Sequence, residues 1–172
     1  MEITLVPYVH MDGEWTIEDE TIKKMWDKIV EDGLNTIVFY DADIRSKEEF
    51  LEFMQRPANN PVVTLVDNQI AGMAWFNGYD GKMVFGHFLF FKAIWGCTDE
   101  IGNKVIEYWF SLKKETGELL FKTILGVIPE FNQKAIRFVK RIGFKELGTI
   151  PEFNYFPYLG EDKGITLLYR KP

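Results

Sequence analysis

Three side chains in this sequence are candidates for a general acid or base. His87 falls within an apolar run at 83–91, and an unperturbed imidazole exchanges its proton near neutral pH. Glu130 follows a second apolar run, and Tyr155 lies in an aromatic segment near the end of the chain. We predict His87 as a base, Glu130 as a second candidate, and Tyr155 as an acid or a pocket wall. The alternatives are a packed strand histidine, a solvated glutamate, and a hydrophobic lid or dimer contact.

Basic side chains gather in one short stretch of an otherwise acidic chain. The protein has 172 residues and a net charge of −6, with 20 basic residues against 26 acidic ones. Five basic residues lie close together in sequence: Lys134, Arg137, Lys140, Arg141 and Lys145. This cluster is either a solvated helix face or a patch that faces an anion. The acidity of the whole chain disfavours a general nucleic-acid binder, which needs a broad basic face.

Cysteine, histidine and hydropathy patterns bear on the compartment and on metal binding. Cys97 is the only cysteine, so no internal disulfide can form, and this suits a reducing compartment. The first residues lack the basic region of a secretory signal, and no apolar run is long enough to cross a membrane. Two histidines and one cysteine provide no metal-ligand spacing. We expect a cytoplasmic protein with no membrane partner and no metal.

Apolar spacing predicts the elements that position these residues. Helical periodicity with start and stop residues predicts helices at about 16–33, 46–56, 98–114 and 133–142, and Thr16 and Ser46 are the expected caps of the first two. Apolar runs between turn signals predict strands at 2–9, 61–66, 70–79, 83–91, 119–128, 145–149 and 164–170. The segment 36–40 is a short strand or a buried connector, and the aromatic segment 151–162 is a loop. Gly86, inside a strand, indicates a bulge or a close backbone approach.

The segment 127–144 predicts a compact strand–helix–strand unit. Asn132 is a strong N-cap for a short helix, because its side-chain oxygen can accept a free backbone N–H of the first turn. Gly143 follows the last periodic residue and is typical of a left-handed helix stop. The preceding helix, which starts near 98, connects two strands, and such a crossover makes those strands parallel and adjacent. The element order therefore predicts an α/β domain with a mixed sheet covered by helices.

The motifs of this unit resemble the GCN5-related N-acetyltransferase (GNAT) superfamily. They are similar to the Pro-Glu-x-Asn, small-residue and Gly-Phe signature of its acetyl-CoA-binding core, with Pro129-Glu130, Asn132, Ala135 and Gly143-Phe144. The stretch GHFLFFKAIWGCTDEIG resembles the branch that acetylates ribosomal-protein N-termini. Its Gly-His version is also similar to small phage-encoded members. The resemblance covers most of the chain and is firmest from 61 to 144.

The resemblance implies a fold, a donor and a set of binding residues. The fold is a single acyl-CoA N-acyltransferase domain over 1–172, with a mixed, mostly antiparallel sheet, a splayed parallel strand pair and flanking helices. The donor is acetyl-CoA, and no metal is implied. The residues implied for binding the cofactor are Phe90, Phe91, Trp95, Gly96, Cys97, Thr98, Val127, Ile128, Asn132, Lys134 and Arg137.

Physical chemistry supports these binding positions. Backbone N–H groups at a helix N-terminus bind phosphate, and the loop 93–97 leads into a helix with Thr98 as its expected N-cap. An extended pantetheine arm can bond to the exposed edges of splayed strands as an added strand does. Lys134 and Arg137 would then meet the ribose phosphate, which gives the basic cluster a purpose in an acidic protein.

The sequence departs from the family pattern at the phosphate loop and at the expected acid. The loop is shorter than usual, with one glycine and no nearby arginine. Asp99 and Glu100 favour the helix that they start, but their charges oppose a second anion there. Val139 stands where members of the family often carry the tyrosine that protonates the leaving thiolate.

The combined interpretation is an acetyl-CoA-dependent N-acetyltransferase that transfers acetyl directly to a primary amine. The acceptor is a small-molecule amine or a protein N-terminus, and a homodimer is open. The alternative is a catalytically degenerate protein of the same fold that acts as a binding or structural protein. A transferase that uses aminoacyl-tRNA is a third hypothesis, which the acidic charge disfavours.

Overall fold

A computed structural model describes all residues, 1–172, and its main element is a seven-stranded sheet. The strands are β1 (Ile3–Pro7), β2 (His10–Met11), β3 (Glu14–Trp15), β4 (Asn60–Val66), β5 (Gln69–Asp80), β6 (Met83–Phe90), β7 (Thr123–Pro129), β8 (Lys145–Phe156) and β9 (Glu161–Arg170). The helices are α1 (Asp19–Glu31), α2 (Asn35–Val38), α3 (Lys47–Met54), α4 (Thr98–Ser111) and α5 (Gln133–Arg141).

The strand order of the main sheet is β1-β4-β5-β6-β7-β9-β8, and β2 and β3 form a separate hairpin. Every pair in the main sheet is antiparallel except β6 with β7. That pair is parallel because α4 carries the chain back to the end of the sheet where β6 began. The predicted α/β fold, a mixed sheet with one parallel pair and flanking helices, is therefore confirmed.

The parallel strands β6 and β7 pair over a short distance and then separate. Their register runs from Met83 opposite Thr123 to Phe85 opposite Leu125. Beyond this point β6 continues to pair with β5, and β7 continues to pair with β9. The facing edges at 86–90 and 126–129 therefore have no strand partner on the inner side, and their backbone groups can bond to another molecule.

Strand alternation places helices on both faces of the sheet. Val63 and Trp75 pack into a core cluster with α1 and α3. Val62 and Phe76, one residue away in each strand, pack into a second cluster with α4 and α5. Successive side chains of a strand point to opposite faces, so β4 and β5 each contribute to both clusters. The central strands are buried on both sides and form a rigid platform for the separated edges.

Two predicted segments differ from the structure. The strand alternative for 36–40 is wrong: the segment overlaps the single helical turn α2 and continues as a connector in which Phe39 is the buried residue. Phe39 fixes it by packing parallel to Trp75, with ring centroids 6.2 Å apart. The predicted loop 151–162 is also wrong, because β8 runs to Phe156 and β9 starts at Glu161. Its aromatic residues favour extended structure, and Phe156 is buried against Tyr40.

Element boundaries were predicted well where a polar side chain caps a helix. Ser46 accepts the backbone N–H of Glu49 at 3.2 Å, and Asn132 accepts that of Ala135 at 3.2 Å, as predicted. The cap predicted at Thr16 is wrong, because its hydroxyl donates to the carbonyl of Pro7 instead. The helix predicted to reach 114 ends at Ser111, and the strand predicted from 119 starts at Thr123. The segment between these two elements contains an isolated β-bridge that pairs Lys113 with Leu119.

Gly86 lies where the parallel pairing ends, and replacing it by alanine tests how closely the strands are packed there. The bulge alternative is wrong, because Gly86 pairs in regular register with Phe76. A Cβ at this position would lie 2.6 Å from Cγ2 of Ile124. Gly86→Ala is expected to lower the free energy of unfolding by about 1–3 kcal/mol through overpacking, measured by urea denaturation.

Gly96→Ala is the matched control for this substitution. A Cβ there meets no atom within 4 Å, and the backbone is not in the left-handed region. The control should change the free energy of unfolding by no more than about 0.5 kcal/mol. Equal stability of Gly86→Ala and the wild type would contradict the packing argument.

Candidate functional site

A cavity of about 420 Å³ opens where β6 and β7 separate. Its walls are the inner edges of the two strands, the α5 side chains that cross the gap, and the segment that follows α2. Asp41 and Asp43 are the carboxylates in its lining, and Arg56 is its one basic residue. We call it the acidic cavity. His87 of β6 and Asn132 at the start of α5 line it as well.

A second cavity, of about 360 Å³, adjoins the first along the same gap. Its basic residues are Lys134, Arg137 and Arg141, all on α5, and no acidic residue lines it. We call it the basic cavity. The two cavities have six lining residues in common: Ile37, Val38, Phe88, Asn132, Ala135 and Phe138. They therefore form one continuous groove, which is basic in one half and acidic in the other.

The start of α4 opens onto the basic cavity without a side-chain cap. The helix begins at Thr98, and the residue in the N-cap position is Cys97, so the predicted N-cap at Thr98 is wrong by one residue. The Cys97 thiol donates to the carbonyl of Ile94 at 3.3 Å and does not cap the helix. The first N–H groups of a helix have no partner within the helix. They are therefore available to an anion beside Thr98, which lines the basic cavity.

Arg141 neutralises the carboxylate that we expected to oppose an anion at this helix start. Its guanidinium donates to both oxygens of Asp99, with Nε to Oδ2 at 2.6 Å and one terminal nitrogen to Oδ1 at 2.9 Å. The same contact holds the pKa of Asp99 below its usual value. The pair joins the last turn of α5 to the first turn of α4. It leaves Lys134 and Arg137 to set the charge of the basic cavity.

Trp95 forms a wall of the basic cavity in place of a phosphate-binding side chain. Its indole N–H donates to the carbonyl of Phe90 at 3.1 Å, which fixes the ring beside the strand end. The Lys134 ammonium lies 4.9 Å from the ring centroid, a cation–π distance. The ring is 41 % exposed, so an apolar surface and a positive charge are presented together.

The remaining residues predicted to bind the cofactor fall into two groups. Phe90 lines the basic cavity, and Val127 and Ile128 line the acidic cavity. Phe91 lines neither, because its side chain is buried with the core cluster beneath α1 and α3. Gly96 and Cys97 also line neither cavity, although they lie in the loop that leads into α4.

His87 lies in the acidic cavity and is held on two sides. Its ring stacks on Trp75, with centroids 4.9 Å apart and an interplanar angle of 8°. Its Nε2 lies 3.1 Å from Oδ1 of Asn77. Burial lowers the pKa of His87 to about 4, because the charged imidazolium is poorly solvated there. The imidazole is therefore neutral at physiological pH and has an unshared electron pair for a proton.

The other two acid–base candidates lie outside the groove. The Glu130 carboxylate accepts the backbone N–H of Gly164 at 2.9 Å, and the Glu130 N–H donates back to the Gly164 carbonyl. This reciprocal contact ties the end of β7 to β9. Tyr155 is 54 % exposed on β8 and lines neither cavity. Val139 is buried and lines the acidic cavity, so this place in the wall is apolar.

Sequence reasoning missed Asp41, Asp43 and Asn77. The two aspartates follow an apolar segment that ends at Tyr40, and their alternation with Ala42 was a weak signal for a cavity rim. Asn77 in the middle of β5 was a stronger signal, because asparagine is depleted in strands.

No group of three or more histidine, cysteine, aspartate or glutamate side chains is placed to hold a metal ion. None of the five helices combines the length and the apolar composition that a bilayer crossing requires.

Comparisons with known proteins identify the fold. No protein-family model matches the sequence, and no curated protein matches it either. Solved structures do match over almost the whole chain. A spermidine N-acetyltransferase from Vibrio cholerae, in complex with CoA and spermine, has a TM-score of 0.74 at 15 % identity, covering 98 % of this chain and 95 % of that one.

Two other acetyltransferases are similar to the same extent. An enzyme from Salmonella typhimurium that modifies the N-terminal serine of a 50S ribosomal subunit protein has a TM-score of 0.75 at 13 % identity, covering 99 % of this chain and 95 % of that one. A microcin self-immunity acetyltransferase, in complex with acetyl-CoA and AMP, has a TM-score of 0.72 at 16 % identity, covering 99 % and 93 %. At such identities the similarity establishes the fold, which is the GNAT fold predicted from the sequence.

The depressed pKa of His87 predicts a pH dependence of stability that His87→Gln removes. The folded-state value of about 4 lies below the unfolded value of about 6.5, so the unfolded chain holds more protons between them. The contribution of His87 to the free energy of unfolding is therefore complete above pH 6.5 and decreases as the pH falls toward 4. Between pH 7.5 and 5, the wild type should lose about 1–2 kcal/mol more than His87→Gln, measured by urea denaturation.

The control is His10→Gln, which replaces an exposed histidine on the separate hairpin. It should show the wild-type dependence of unfolding free energy on pH. Parallel curves for His87→Gln and the wild type would show that the imidazole is not desolvated.

Proposed function

We propose that the protein transfers an acetyl group from acetyl-CoA to a primary amine. The observation that supports this most directly is the groove between the separated strands β6 and β7. Its basic half suits a polyanionic donor, and its acidic half suits a cationic acceptor. The neutral His87 lies in the acidic half, where the acceptor would lose its proton.

The donor would lie along the groove with its phosphates in the basic cavity. The open N-terminus of α4 would receive the diphosphate, since backbone N–H groups there favour negative charge. Lys134 and Arg137 would meet the ribose phosphate, and the unpaired edge at 126–129 would bond to the pantetheine amides. Asn132 caps α5 through its side chain at the point where the two cavities join.

The acceptor amine would attack the thioester carbon directly in the acidic cavity. A C–N bond forms, the C–S bond breaks, and the CoA thiolate leaves. The amine proton passes to His87 or through water to solvent, and the thiolate takes its proton from water because Val139 provides no acid. Holding the two reactants in contact supplies much of the acceleration in such a transfer.

The acceptor would be a small-molecule amine or a protein N-terminus. Both kinds of acceptor occur among the similar structures, one named for spermidine and one for an N-terminal serine. Asp41 and Asp43 would attract either as an ammonium ion before it loses its proton. Glu130 and Tyr155 would act only indirectly, since neither lines the groove.

A catalytically degenerate binding protein of the same fold is the second candidate function. Val139 in the wall of the acidic cavity and the short phosphate loop favour it. We also propose a cytoplasmic location, which the single cysteine supports, a homodimer, and a relationship to phage-encoded members, which the Gly86-His87 pair supports.

Ligand-dependent stability and turnover test the proposed function together. Acetyl-CoA at millimolar concentration should raise the melting temperature, because a ligand that binds only the folded state stabilises it. Acetyl transfer over a panel of alkylamines, arylamines and N-terminal peptides should release free CoA, detected by a thiol reagent and mass spectrometry. Binding without transfer to any amine would favour the degenerate alternative. Absence of binding would overturn the proposed acetyl-CoA site.

Removing a positive charge from the basic cavity should weaken the binding of CoA more than the binding of dephospho-CoA, which lacks the ribose phosphate. Lys134→Ala and Arg137→Ala are each expected to raise the dissociation constant for CoA about threefold to tenfold, by calorimetry. The constant for dephospho-CoA should change much less. Lys145→Ala removes an equal charge from outside both cavities and is the control. Equal losses of affinity for CoA and dephospho-CoA would show that the ribose phosphate binds outside the basic cavity.

A further inference from the structure

Three amide and imidazole side chains form a hydrogen-bonded chain behind the acidic cavity. His87 Nε2 lies 3.1 Å from Asn77 Oδ1, and Asn77 Nδ2 donates to Asn59 Oδ1 at 3.0 Å. Asn59 Nδ2 donates in turn to the backbone carbonyl of Phe53 at 2.5 Å. The chain therefore runs from a groove side chain to the end of α3. Neither asparagine lines the acidic or the basic cavity.

The backbone carbonyl at the end of this chain determines the direction of every bond in it. A carbonyl oxygen can only accept, so Asn59 must present its NH₂ group to Phe53 and its oxygen to Asn77. Asn77 must then present its NH₂ group to Asn59 and its oxygen to the imidazole. That oxygen has no hydrogen, so the proton of the neutral ring must lie on Nε2.

Packing holds the imidazole in this arrangement. His87 lies directly opposite Trp75 across the β5–β6 pair, and the two rings stack with an angle of 8°. Asn77 is two residues from Trp75 on the same strand and therefore on the same face. Asn59 is only 9 % exposed, so its amide makes few contacts with water. The ring is thus fixed by a stacked neighbour and by a hydrogen bond of defined direction.

We propose that Asn77 and Asn59 are positioning residues that hold His87 as the Nε2–H tautomer and leave Nδ1 as its only proton acceptor. This assignment rests on the proposed function and deepens it, because an acceptor amine that gives its proton to His87 would have to give it to Nδ1. The second ring nitrogen is already committed to Asn77. Asn77 acts through His87 and does not itself touch the groove.

The tautomer can be observed directly, because the chain contains only two histidines. Long-range proton–nitrogen NMR spectra of protein labelled with ¹⁵N-histidine separate a protonated ring nitrogen from an unprotonated one. His87→Gln identifies the His87 signals by their loss. At pH 7.5, Nε2 of His87 should show the signature of a protonated nitrogen and Nδ1 that of an unprotonated one. The opposite assignment, or an equal mixture of tautomers, overturns the proposal.

Breaking the hydrogen-bonded chain should allow both tautomers of His87 to form, while the imidazole itself is kept. In Asn77→Ala, the His87 signals are expected to move toward a mixture of the two tautomers. Asn59→Ala should do the same to a smaller extent, because Asn77 can then rotate its amide. Asn60→Ala is the matched control: this neighbouring asparagine bonds only to backbone carbonyls, at 3.4 and 3.5 Å. A tautomer that stays unchanged in both Asn77→Ala and Asn59→Ala would contradict the proposed role.

Kinetics separate this inference from the proposed function. With acetyl-CoA and a reactive amine, Asn77→Ala should lower kcat about tenfold, while KM for acetyl-CoA changes less than twofold. A rise in that KM with unchanged kcat would show a structural role instead. The NMR assignment requires no turnover, so a protein that transfers no acetyl group would overturn the proposed function alone. A wrong tautomer in an active enzyme would overturn the positioning role alone.

Discussion

The pairing of β6 with β7 ends after Phe85 and Leu125, and the groove depends on this interruption. Each strand keeps its other neighbour, so the sheet loses no strand and the gap is held open by two intact half-sheets. Gly86 lies at the start of the gap, with Ile124 and Trp109 packed against it. The helix α4 fills one side of the opening, and α5 crosses it. Closing the gap would require moving two buried clusters, which makes the opening a stable feature of the fold.

Charge is distributed along this gap by a small number of contacts. The α5 helix contributes all three basic residues of the basic cavity, but one of them is bound to Asp99. That pair is exposed and adds little to stability. Its effect is on the site, because it cancels a carboxylate at the helix start that would repel a phosphate. The connector after α2 supplies acidity to the other half through Asp41 and Asp43.

The architecture could be predicted from the sequence because each element has a local signature. Apolar periodicity, helix caps such as Asn132 and the crossover rule can each be recognised in the sequence. Together they predicted that β6 and β7 are parallel and adjacent. The errors lie where tertiary packing decides: Phe39 draws 36–40 into the core, and Phe156 turns an expected loop into a strand. The lining of the groove was predicted only in part. Asn77 and His87 are ten residues apart, and only the register of β5 with β6 brings them together.

The low basicity of His87 has a consequence for the choice of acceptor. An imidazole with a pKa of about 4 is too weak a base to deprotonate an ammonium ion, so under the proposed function an ammonium that the cavity attracts must lose that proton to water, and only the free base reacts. Near neutral pH, an α-amino group with a pKa of about 8 offers about two hundred times more free base than an alkylamine with a pKa of about 10.4. The nucleophile's own acidity, and not titration of the protein, would then determine the pH range of the reaction. Such a groove would discriminate between amines by their proton affinity as well as by their shape.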